Sequence, residues 1–291
     1  MSIVARNVQV YVPINLLEPS SETQKIHVKI INRWTLYNSK SSKSIELVFV
    51  DWSGTKLHAS IENDLVQKHR HLLNEGQALS IIAFSLKEYG GEFKTSLFPF
   101  KLALLRTIRT KELTDFPDDV PEKYFIDFGD ILDGKFERNL LIDVIGQIIE
   151  VGNVEEGKTK GKSNNSSKLQ LILCDTNEVT LKCTLWEDHA KRTFAHTTKK
   201  MDSVVVCVMR FMFVKSYKGI KCIFTFLILL KIYNCTFVCS HFCLIFLIRM
   251  SNIIFVYIGK ISIYNAFSAT KILFDPKTEQ ADNFINRYRT I

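Results

Sequence analysis

Hydrophobic and polar residues alternate through short stretches of the first third of the chain, a pattern that predicts β-strands. Ile26, Val28 and Ile30 share one face of such a stretch, with the period of two expected of a half-buried strand. Two further stretches, 45–51 and 55–61, have similar strand-like compositions and are separated by a few turn-forming residues. We therefore predict three consecutive strands joined by short connections.

A helix and two more strands are predicted after these three. Residues 62–75 carry apolar side chains at helical spacing, and Gly76 ends this run. Stretches 77–86 and 92–105 return to a strand-like pattern. The order strand, strand, strand, helix, strand, strand is that of a five-stranded OB barrel, whereas sandwiches usually lack the helix and α/β folds alternate the two elements. We assign residues 1–110 to this first OB fold.

A connector follows the first predicted barrel. Residues 106–135 are punctuated by Pro117 and Pro121. The stretch is also locally acidic, through Asp115, Asp118, Asp119 and Glu122. We predict that residues 111–135 form a solvent-facing linker.

The second half of the chain repeats the order of elements in the first. The predicted elements are strands at 139–152, 169–175, 179–186 and 202–214, a polar loop at 155–167 and a short helix at 187–196. A constant offset of 124 residues relates the halves through the pairs Asp51 and Asp175, Leu57 and Leu181, and Ile61 and Leu185. Duplication of one unit explains this correspondence. The predicted fold class is all-β with short helices: two tandem five-stranded OB barrels, the second spanning 136–291 and interrupted by a hydrophobic insertion at 222–259.

Charge and motif content narrow the function classes. Lys and Arg total 38 against 30 Asp and Glu, a net charge of +8 that favours an anionic partner such as nucleic acid or an anionic membrane surface. The N-terminal segment lacks the pattern of a secretory signal, so we expect a reducing compartment. The seven cysteines lack the paired C-x2-C spacing of a zinc ribbon. With no Walker loop, GxSxG or HExxH in the sequence, we infer no enzyme, no cofactor and no metal.

Five motifs are specific enough to compare with known families. They are FVDWSGTKLHASI, IDVIGQI, LCDTNEVTLKCTLWEDHA, VKSYKG and ISIYNAFSATKILFDP, within residues 22–221 and 260–291. Together they resemble the large (70 kDa) DNA-binding subunit of replication protein A, in its plant-type form. The resemblance implies tandem OB folds that bind single-stranded DNA in the nucleus, in DNA replication, repair or recombination. RNA is also a candidate partner, because base stacking tolerates both nucleic acids.

The resemblance also bears on protein partners. The family's third, zinc-bearing OB fold, which carries the trimerisation surface, has no counterpart in this sequence. We therefore expect other replication protein A subunits to be weaker candidate partners than single-stranded DNA.

The resemblance assigns nucleic-acid-binding residues in the second repeat. Trp186, at the end of strand three, and Tyr217, in the turn after strand four, match the family's two stacking aromatics. Neighbouring basic residues are Lys215, Lys218, Lys191 and Arg192. A sequence-tolerant binder of single strands needs flat rings and a basic groove, and stacking contributes ~1–3 kcal/mol per base. The competing interpretation of Trp186 is a residue of the barrel core.

The first repeat has a poorer set of aromatic residues. Phe93 matches the family's strand-five stacking aromatic, with Lys94 beside it. At the strand-three position we place Ile61, an aliphatic residue where other members carry a ring. Trp52 is assigned to packing or to the surface of a turn. We therefore expect the second barrel to dominate binding.

The segment 222–259 differs in composition from the rest of the chain. It is rich in Phe, Ile, Leu and Cys and contains no Asp, Glu, Ala, Pro, Gln or Trp. It separates 216–221 from 260–272, which should be arms of one hairpin. Three hypotheses compete: a membrane span over 222–248 with Lys231 inside it, a hydrophobic insertion packing on a partner, and a translated intron. The abrupt change at a hairpin tip and the prevalence of residues with T-rich codons favour the intron.

Two other function classes stay open from the sequence. A protein-interaction scaffold, in which OB faces hold peptides, fits the poor aromatic set of the first repeat. Membrane association through 222–248 fits the exposed apolar surface that the insertion would create.

Overall fold

The computed structural model describes most of both predicted barrels. The described residues are 11–19, 24–37, 43–62, 65–66, 71, 73–90, 93–104, 106–158, 165–200, 203–217, 220–222, 255–257, 260–278, 281–282 and 284–286. The chain divides into two compact units, residues 1–214 with 262–291, and residues 215–261. The cores of both barrels belong to the first unit.

Strands dominate the described residues, as the sequence predicted. In the first half the strands are β1 (Lys25–Tyr37), β2 (Lys43–Asp51), β3 (Lys56–Glu62), β4 (Ala78–Ile82), β5 (Ser85–Glu88), β6 (Phe100–Ala103) and β7 (Arg109–Glu112). In the second half they are β8 (Ile142–Val151), β9 (Glu155–Lys158), β10 (Asn165–Cys174), β11 (Thr180–Trp186), β12 (Val205–Tyr217), β13 (Ile220–Cys222), β14 (Phe255–Tyr257), β15 (Lys260–Asn265) and β16 (Lys271–Phe274). The α-helices are α1 (Phe128–Leu132) and α2 (Glu187–Lys199), and 3-10 turns cover Ile14–Leu16 and Phe267–Ala269.

The first seven strands form a closed barrel. Their order is β5-β6-β3-β2-β1-β4-β7, with β6 parallel to β3 and the other neighbours antiparallel. β4 and β5 are two halves of one strand, interrupted at Ala83, whose φ is 61°. The sheet therefore begins and ends on the same strand and closes on itself. Fully buried side chains such as Ile26, Leu47, Leu57 and Leu79 fill the interior, which confirms the predicted OB fold.

The second half builds the same topology. Its strand order is β11-β15-β12-β8-β10-β9, β11 also pairs with β10, and β16 pairs with β12. β15 runs parallel to β11, as β6 does to β3. The alternating residues Leu169, Leu171 and Leu173 of β10 and Leu181 and Leu185 of β11 are buried. The prediction of two tandem OB folds is therefore confirmed.

Matching turns and registers support the duplication. Asp51 accepts backbone N–H bonds from Ser53 and Thr55 at 3.0 Å, which fixes the turn between β2 and β3. Asp175 accepts equivalent bonds from residues 177 and 179, at 2.8 and 2.9 Å. Because Ile45 pairs with Ile61 and Leu169 with Leu185, the offset of 124 residues also holds in the strand register.

Two predicted elements have wrong boundaries. The strand predicted at 92–105 is restricted to β6, because the side chains of Thr95 and Ser96 bond instead to His58 and to the carbonyl of Lys56. The polar loop predicted at 155–167 is at its two ends a hairpin, in which β9 pairs with β10. Polarity alone did not show that these segments have fixed partners.

The connector is packed, so the prediction of a solvent-facing linker is wrong for much of its length. Val120, Phe128 and Ile131 are at most 7% exposed. Glu122 forms an ion pair with Lys29 at 2.7 Å. The acidic residues that suggested a linker coexist with buried apolar ones, and burial of those apolar side chains stabilises the connector on the barrels.

The glycine of the IDVIGQI motif has a packing role. A Cβ atom on Gly146 would lie 2.8 Å from the ring of Phe128 and 3.1 Å from the carbonyl oxygen of Cys174. Strand β8 therefore needs a residue without a side chain where helix α1 packs against it.

Two further predictions fall largely outside the described residues. Of the helix predicted at 62–75, Leu65 and Val66 are helical and Leu73 is fully buried. Of the insertion 222–259, the described part is the pairing of β13 with β14, near its ends. No helix in the described ranges is both long and apolar enough to cross a bilayer.

A buried charged cluster joins the two barrels. Asp143 accepts the N–H of Phe211 at 2.9 Å and lies 3.5 Å from Nε of Arg210. Arg210 also donates to the carbonyls of Ile31 in the first barrel and Glu122 in the connector, at 3.4 and 2.5 Å. The side chains of Asp143 and Arg210 are 1% and 6% exposed, so this contact is shielded from water.

Candidate nucleic-acid interface

Strand β11 divides its side chains between the core and the outer face of the second barrel. Leu181, Cys183 and Leu185 are buried, whereas Lys182 is exposed and Trp186 is half-buried. Side chains two residues apart share a face of a strand, so Lys182 and Trp186 both point outward.

The neighbouring strands extend this outward surface. In β15, Ile263 is fully buried and pairs with Cys183, so Tyr264, which pairs with Thr184, points outward. On the other side, β10 adds Gln170 and Ile172, which alternate with its buried leucines. We call this surface the open face. It comprises Gln170, Ile172, Lys182, Trp186 and Tyr264.

The backbone holds Trp186 at the end of its strand. Its N–H donates to Oδ1 of Asn265 at 2.7 Å, and helix α2 begins at the next residue, Glu187, with a φ of 53°. The indole is half-buried and does not belong to the fully buried core. A fixed, partly exposed ring is suited to stack on a planar group.

A row of rings leads from the first barrel to the open face. The ring centroids of Phe93 and Phe213 are 4.4 Å apart, and those of Phe213 and Tyr264 are 6.2 Å apart. All three rings are half-buried. Phe93, predicted as a stacking residue on strand five, therefore lies in a loop against the second barrel, at one end of this row.

The equivalent surface of the first barrel is occupied by the protein itself. We call it the filled face; it comprises Glu46, Val48, Val50, His58 and Ser60. Val48 and Val50 are completely buried in a cluster with Phe211 and Ala269 of the second barrel. Glu46 is 2% exposed and His58 7%.

Hydrogen bonds satisfy the charged pair on the filled face. Oε2 of Glu46 lies 2.8 Å from Nε2 of His58 and 2.6 Å from Nζ of Lys101. Nδ1 of His58 lies 2.5 Å from the hydroxyl of Tyr89 and 2.9 Å from that of Thr95. Tyr89 and Thr95 border the loop that follows β5, so this loop folds over the outer side of β3.

Electrostatics keep this pair in one protonation state. Burial opposes ionisation of Glu46, but bonds from His58 and Lys101 outweigh it and lower the pKa of Glu46 to about 2. Burial lowers the pKa of His58, against the bond from Glu46, which raises it. A neutral His58 donating from Nε2 and accepting at Nδ1 fits the four partners.

The other predicted site residues are only partly brought together. Lys191 and Arg192 are exposed on α2, and Lys94 is half-buried, with its N–H bonded to the carbonyl of Asn139 at 2.7 Å. Lys215 is exposed on β12. The side chain of Tyr217 and all of Lys218 lie outside the described residues.

The first-barrel counterpart of Trp186 differs from the predicted one. Ser44 pairs with Glu62 as Lys168 pairs with Trp186, so the register places exposed Glu62 at this position. Ile61, predicted there, corresponds to Leu185 and is fully buried. The register shows that the first barrel has a carboxylate at this strand end.

Sequence reasoning missed four residues: Gln170, Lys182, Phe213 and Tyr264. The alternation in TLKCTLW and ISIYN was sufficient to place Lys182 and Tyr264 outside the barrel. The contact between Phe93 and Phe213 has no local signal, since it joins the two barrels.

No three His, Cys, Asp or Glu side chains among the described residues are grouped to hold a metal ion. The titratable groups of the interface therefore act through charge and hydrogen bonding in the arguments below.

Comparison with known proteins places the two halves. Residues 15–134 match a domain of unknown function (DUF223), and residues 133–225 match the replication protein A OB domain. A replication protein A 70 kDa DNA-binding subunit of Arabidopsis thaliana is 24% identical over 215 residues, 72% of this chain and 34% of that protein. Its namesake in Oryza sativa subsp. japonica is 23% identical over 214 residues, again 72% of this chain and 34% of that protein. The chain thus spans about a third of the length of these relatives.

Solved structures show the same fold. A replication protein A heterotrimer bound to single-stranded DNA superposes with a TM-score of 0.56 at 20% identity, covering 96% of this chain and 55% of that chain. The matched OB domain, the relatives and this shared architecture agree with the sequence motifs. The chain belongs to the family of the replication protein A large DNA-binding subunit.

Proposed function

We propose that this chain binds single-stranded DNA through the open face of its second barrel. The observation that carries the proposal is that the same outward surface is buried in the first barrel and accessible in the second. The open face presents the indole of Trp186, the ring of Tyr264 and the ammonium group of Lys182 on two paired strands. The shared family supports the proposal, since the curated relatives are named as DNA-binding subunits.

Each group on the open face has a physical role in this proposal. Rings of Trp186 and Tyr264 stack on bases, which every base permits, so binding is tolerant of sequence. Lys182 neutralises a phosphate and releases a counterion, so affinity falls as salt rises. Gln170 supplies an amide that donates and accepts hydrogen bonds.

The residues assigned from the family resemblance extend this site. We propose that the stacking ring of Tyr217 and the cations around both aromatics prolong the path of the strand. These residues are Tyr217, Lys215, Lys218, Lys191, Arg192, Phe93 and Lys94. Phe93 contributes through the row of rings that it forms with Phe213.

The setting of this activity follows from the family. We propose a nuclear protein that acts in DNA replication, repair or recombination without enzymatic activity of its own, with other replication protein A subunits as further partners. The domain division that we propose is a first OB fold at 1–110, a connector at 111–135 and a second OB fold at 136–291, containing the insertion 222–259. The family matches at 15–134 and 133–225 support it.

The test compares two tryptophan substitutions in the full chain. Trp186→Ala should weaken binding of a fluorescein-labelled dT oligonucleotide by ~1–3 kcal/mol, because a stacking ring is lost. Fluorescence polarisation measures the affinity, and circular dichroism checks the fold. Trp52→Ala, which removes a 48% exposed indole elsewhere, is the matched control and should leave the affinity unchanged.

Two outcomes would overturn the proposal. One is equal affinity of Trp186→Ala and the unmodified protein. The other is absence of oligonucleotide binding together with a salt-insensitive interaction with a protein, which would favour the interaction scaffold.

A further inference from the structure

A cavity of about 250 Å³ on the first barrel is lined by aromatic rings. Tyr11, His27, Trp52 and Phe116 contribute their rings, and Asp115 adds a carboxylate. None of these residues belongs to the open face or the filled face. The cavity is therefore separate from the proposed nucleic-acid interface.

The rings meet at defined angles. Tyr11 and His27 are stacked, with centroids 4.6 Å apart and planes 19° apart. Trp52 meets Tyr11 edge to face, with centroids 6.3 Å apart and planes 85° apart. Tyr11 and Trp52 are 41% and 48% exposed. Two large rings therefore form a corner that is accessible to a ligand.

Hydrogen bonds fix the segments that form the walls. The N–H of Val12 donates to the carbonyl of Lys25 at 2.7 Å, which attaches the Tyr11 segment to β1. The N–H of Ile14 donates to Oδ2 of Asp51 at 2.7 Å, which ties the same segment to the turn that carries Trp52.

The acidic wall is fixed in the same way. The N–H of Leu113 donates to the carbonyl of Ala78 at 2.9 Å, just before Asp115. A site whose walls are held in place loses little conformational entropy when a ligand binds.

Two polar groups of the cavity await partners. Nε2 of His27 is buried and has no hydrogen-bond partner among the described residues. Asp115 is exposed and forms no hydrogen bond or ion pair within the part of the chain that the structure describes. Burial and the charge of Lys25 lower the pKa of His27, against Asp115, which raises it, so the neutral ring offers an acceptor nitrogen.

We propose that this cavity binds the side chain of an arginine presented by a protein partner. A guanidinium group stacks on aromatic faces and carries N–H donors for a carboxylate and a ring nitrogen. Asp115 supplies the complementary charge, and Asp118 and Asp119 extend the acidic segment beside it. The same carboxylates disfavour a nucleotide, because they repel its phosphate. A trimethylated lysine lacks the N–H donors that His27 and Asp115 call for.

Peptide binding to the full chain tests this proposal. The probe is a fluorescein-labelled seven-residue peptide with one central arginine, followed by fluorescence polarisation. Trp52→Ala and Asp115→Asn should each weaken binding about fivefold to tenfold, the range of one cation–π contact or one ion pair. Asp118→Asn, in the same acidic segment but outside the cavity lining, is the matched control and should change affinity less than about twofold.

Matched ligands complete the experiment. A peptide with citrulline in place of arginine keeps the shape and loses the charge, so it should bind at least about tenfold more weakly. Equal binding of the citrulline peptide, tighter binding of a trimethyllysine peptide, or no binding of the arginine peptide would overturn the proposal. Displacement of the peptide by a dT oligonucleotide would also overturn it, by showing a nucleic-acid site instead. Thermal unfolding of each variant confirms that it is folded.

Discussion

In the first barrel the outer sides of β2 and β3 are covered by the protein's own side chains, whereas the matching sides of β10 and β11 in the second barrel meet solvent. The paired positions differ at two polar residues. Glu46 and His58 bond to each other, and their counterparts at the offset of 124 are Gln170 and Lys182, both exposed. A buried pair of this kind closes a surface, while an amide and an ammonium group leave it available.

The difference shows how duplicated barrels can divide their work. The filled face is covered from two directions, by the loop containing Thr95 and by Phe211 of the second barrel. An oligonucleotide would have to displace both to reach β2 and β3. The open face has no such requirement, so the account assigns binding to the second barrel and a supporting role to the first.

The largest effect should come from separating the barrels. Asp143→Ala removes the carboxylate that neutralises Arg210 and lies 3.9 Å from Nζ of Lys56. Two cations are then left poorly compensated in a buried site, so the free energy of unfolding should fall by about 3–5 kcal/mol in urea titrations. Asp118→Ala, at an exposed position, should change it by less than about 0.5 kcal/mol. A loss below about 1 kcal/mol for Asp143→Ala would contradict the contact between the barrels.

Acid should destabilise the filled face selectively. The pKa of Glu46 is about 2 when folded, against 4.5 for the unfolded group, so its stabilisation is complete above pH 4.5 and is lost as pH falls towards 2. Up to about 3 kcal/mol is involved, and His58, whose pKa is also lowered, adds a loss in the same direction below pH 6.5.

The measurement is the free energy of unfolding in urea at several pH values between 7 and 3, repeated for Glu46→Gln. The variant has the residue that the second barrel carries at position 170, and its stability should vary less with pH. The same slope in both proteins would show that Glu46 is not responsible.

The smallest effect concerns one phosphate contact on the open face. Lys182→Gln should reduce the slope of log affinity for a dT oligonucleotide against log salt by about 0.7, because one fewer counterion is released. Lys87→Gln, at an exposed position of the first barrel, is the matched control and should leave the slope unchanged. An identical change in both variants would indicate only a general charge effect.

Strand periodicity and the offset of 124 residues were sufficient to predict both barrels and the turn role of Asp51 and Asp175. They were not sufficient to predict which face is covered, because that depends on contacts between distant residues. The bond from Arg210 to the carbonyl of Ile31 spans 179 positions, and the packing of Phe93 on Phe213 spans the connector. The sequence likewise identified Trp186 as a candidate, but the strand register was needed to pair it with Glu62.

Photo-cross-linking tests the division of work between the barrels most directly. A dT oligonucleotide carrying 5-iodouracil is irradiated with the full chain, and the modified peptides are identified by mass spectrometry. We expect cross-links at Trp186 and Tyr264, whose rings are accessible on the open face. Cross-links concentrated in residues 43–62, on the strands of the filled face, would contradict the assignment of binding to the second barrel.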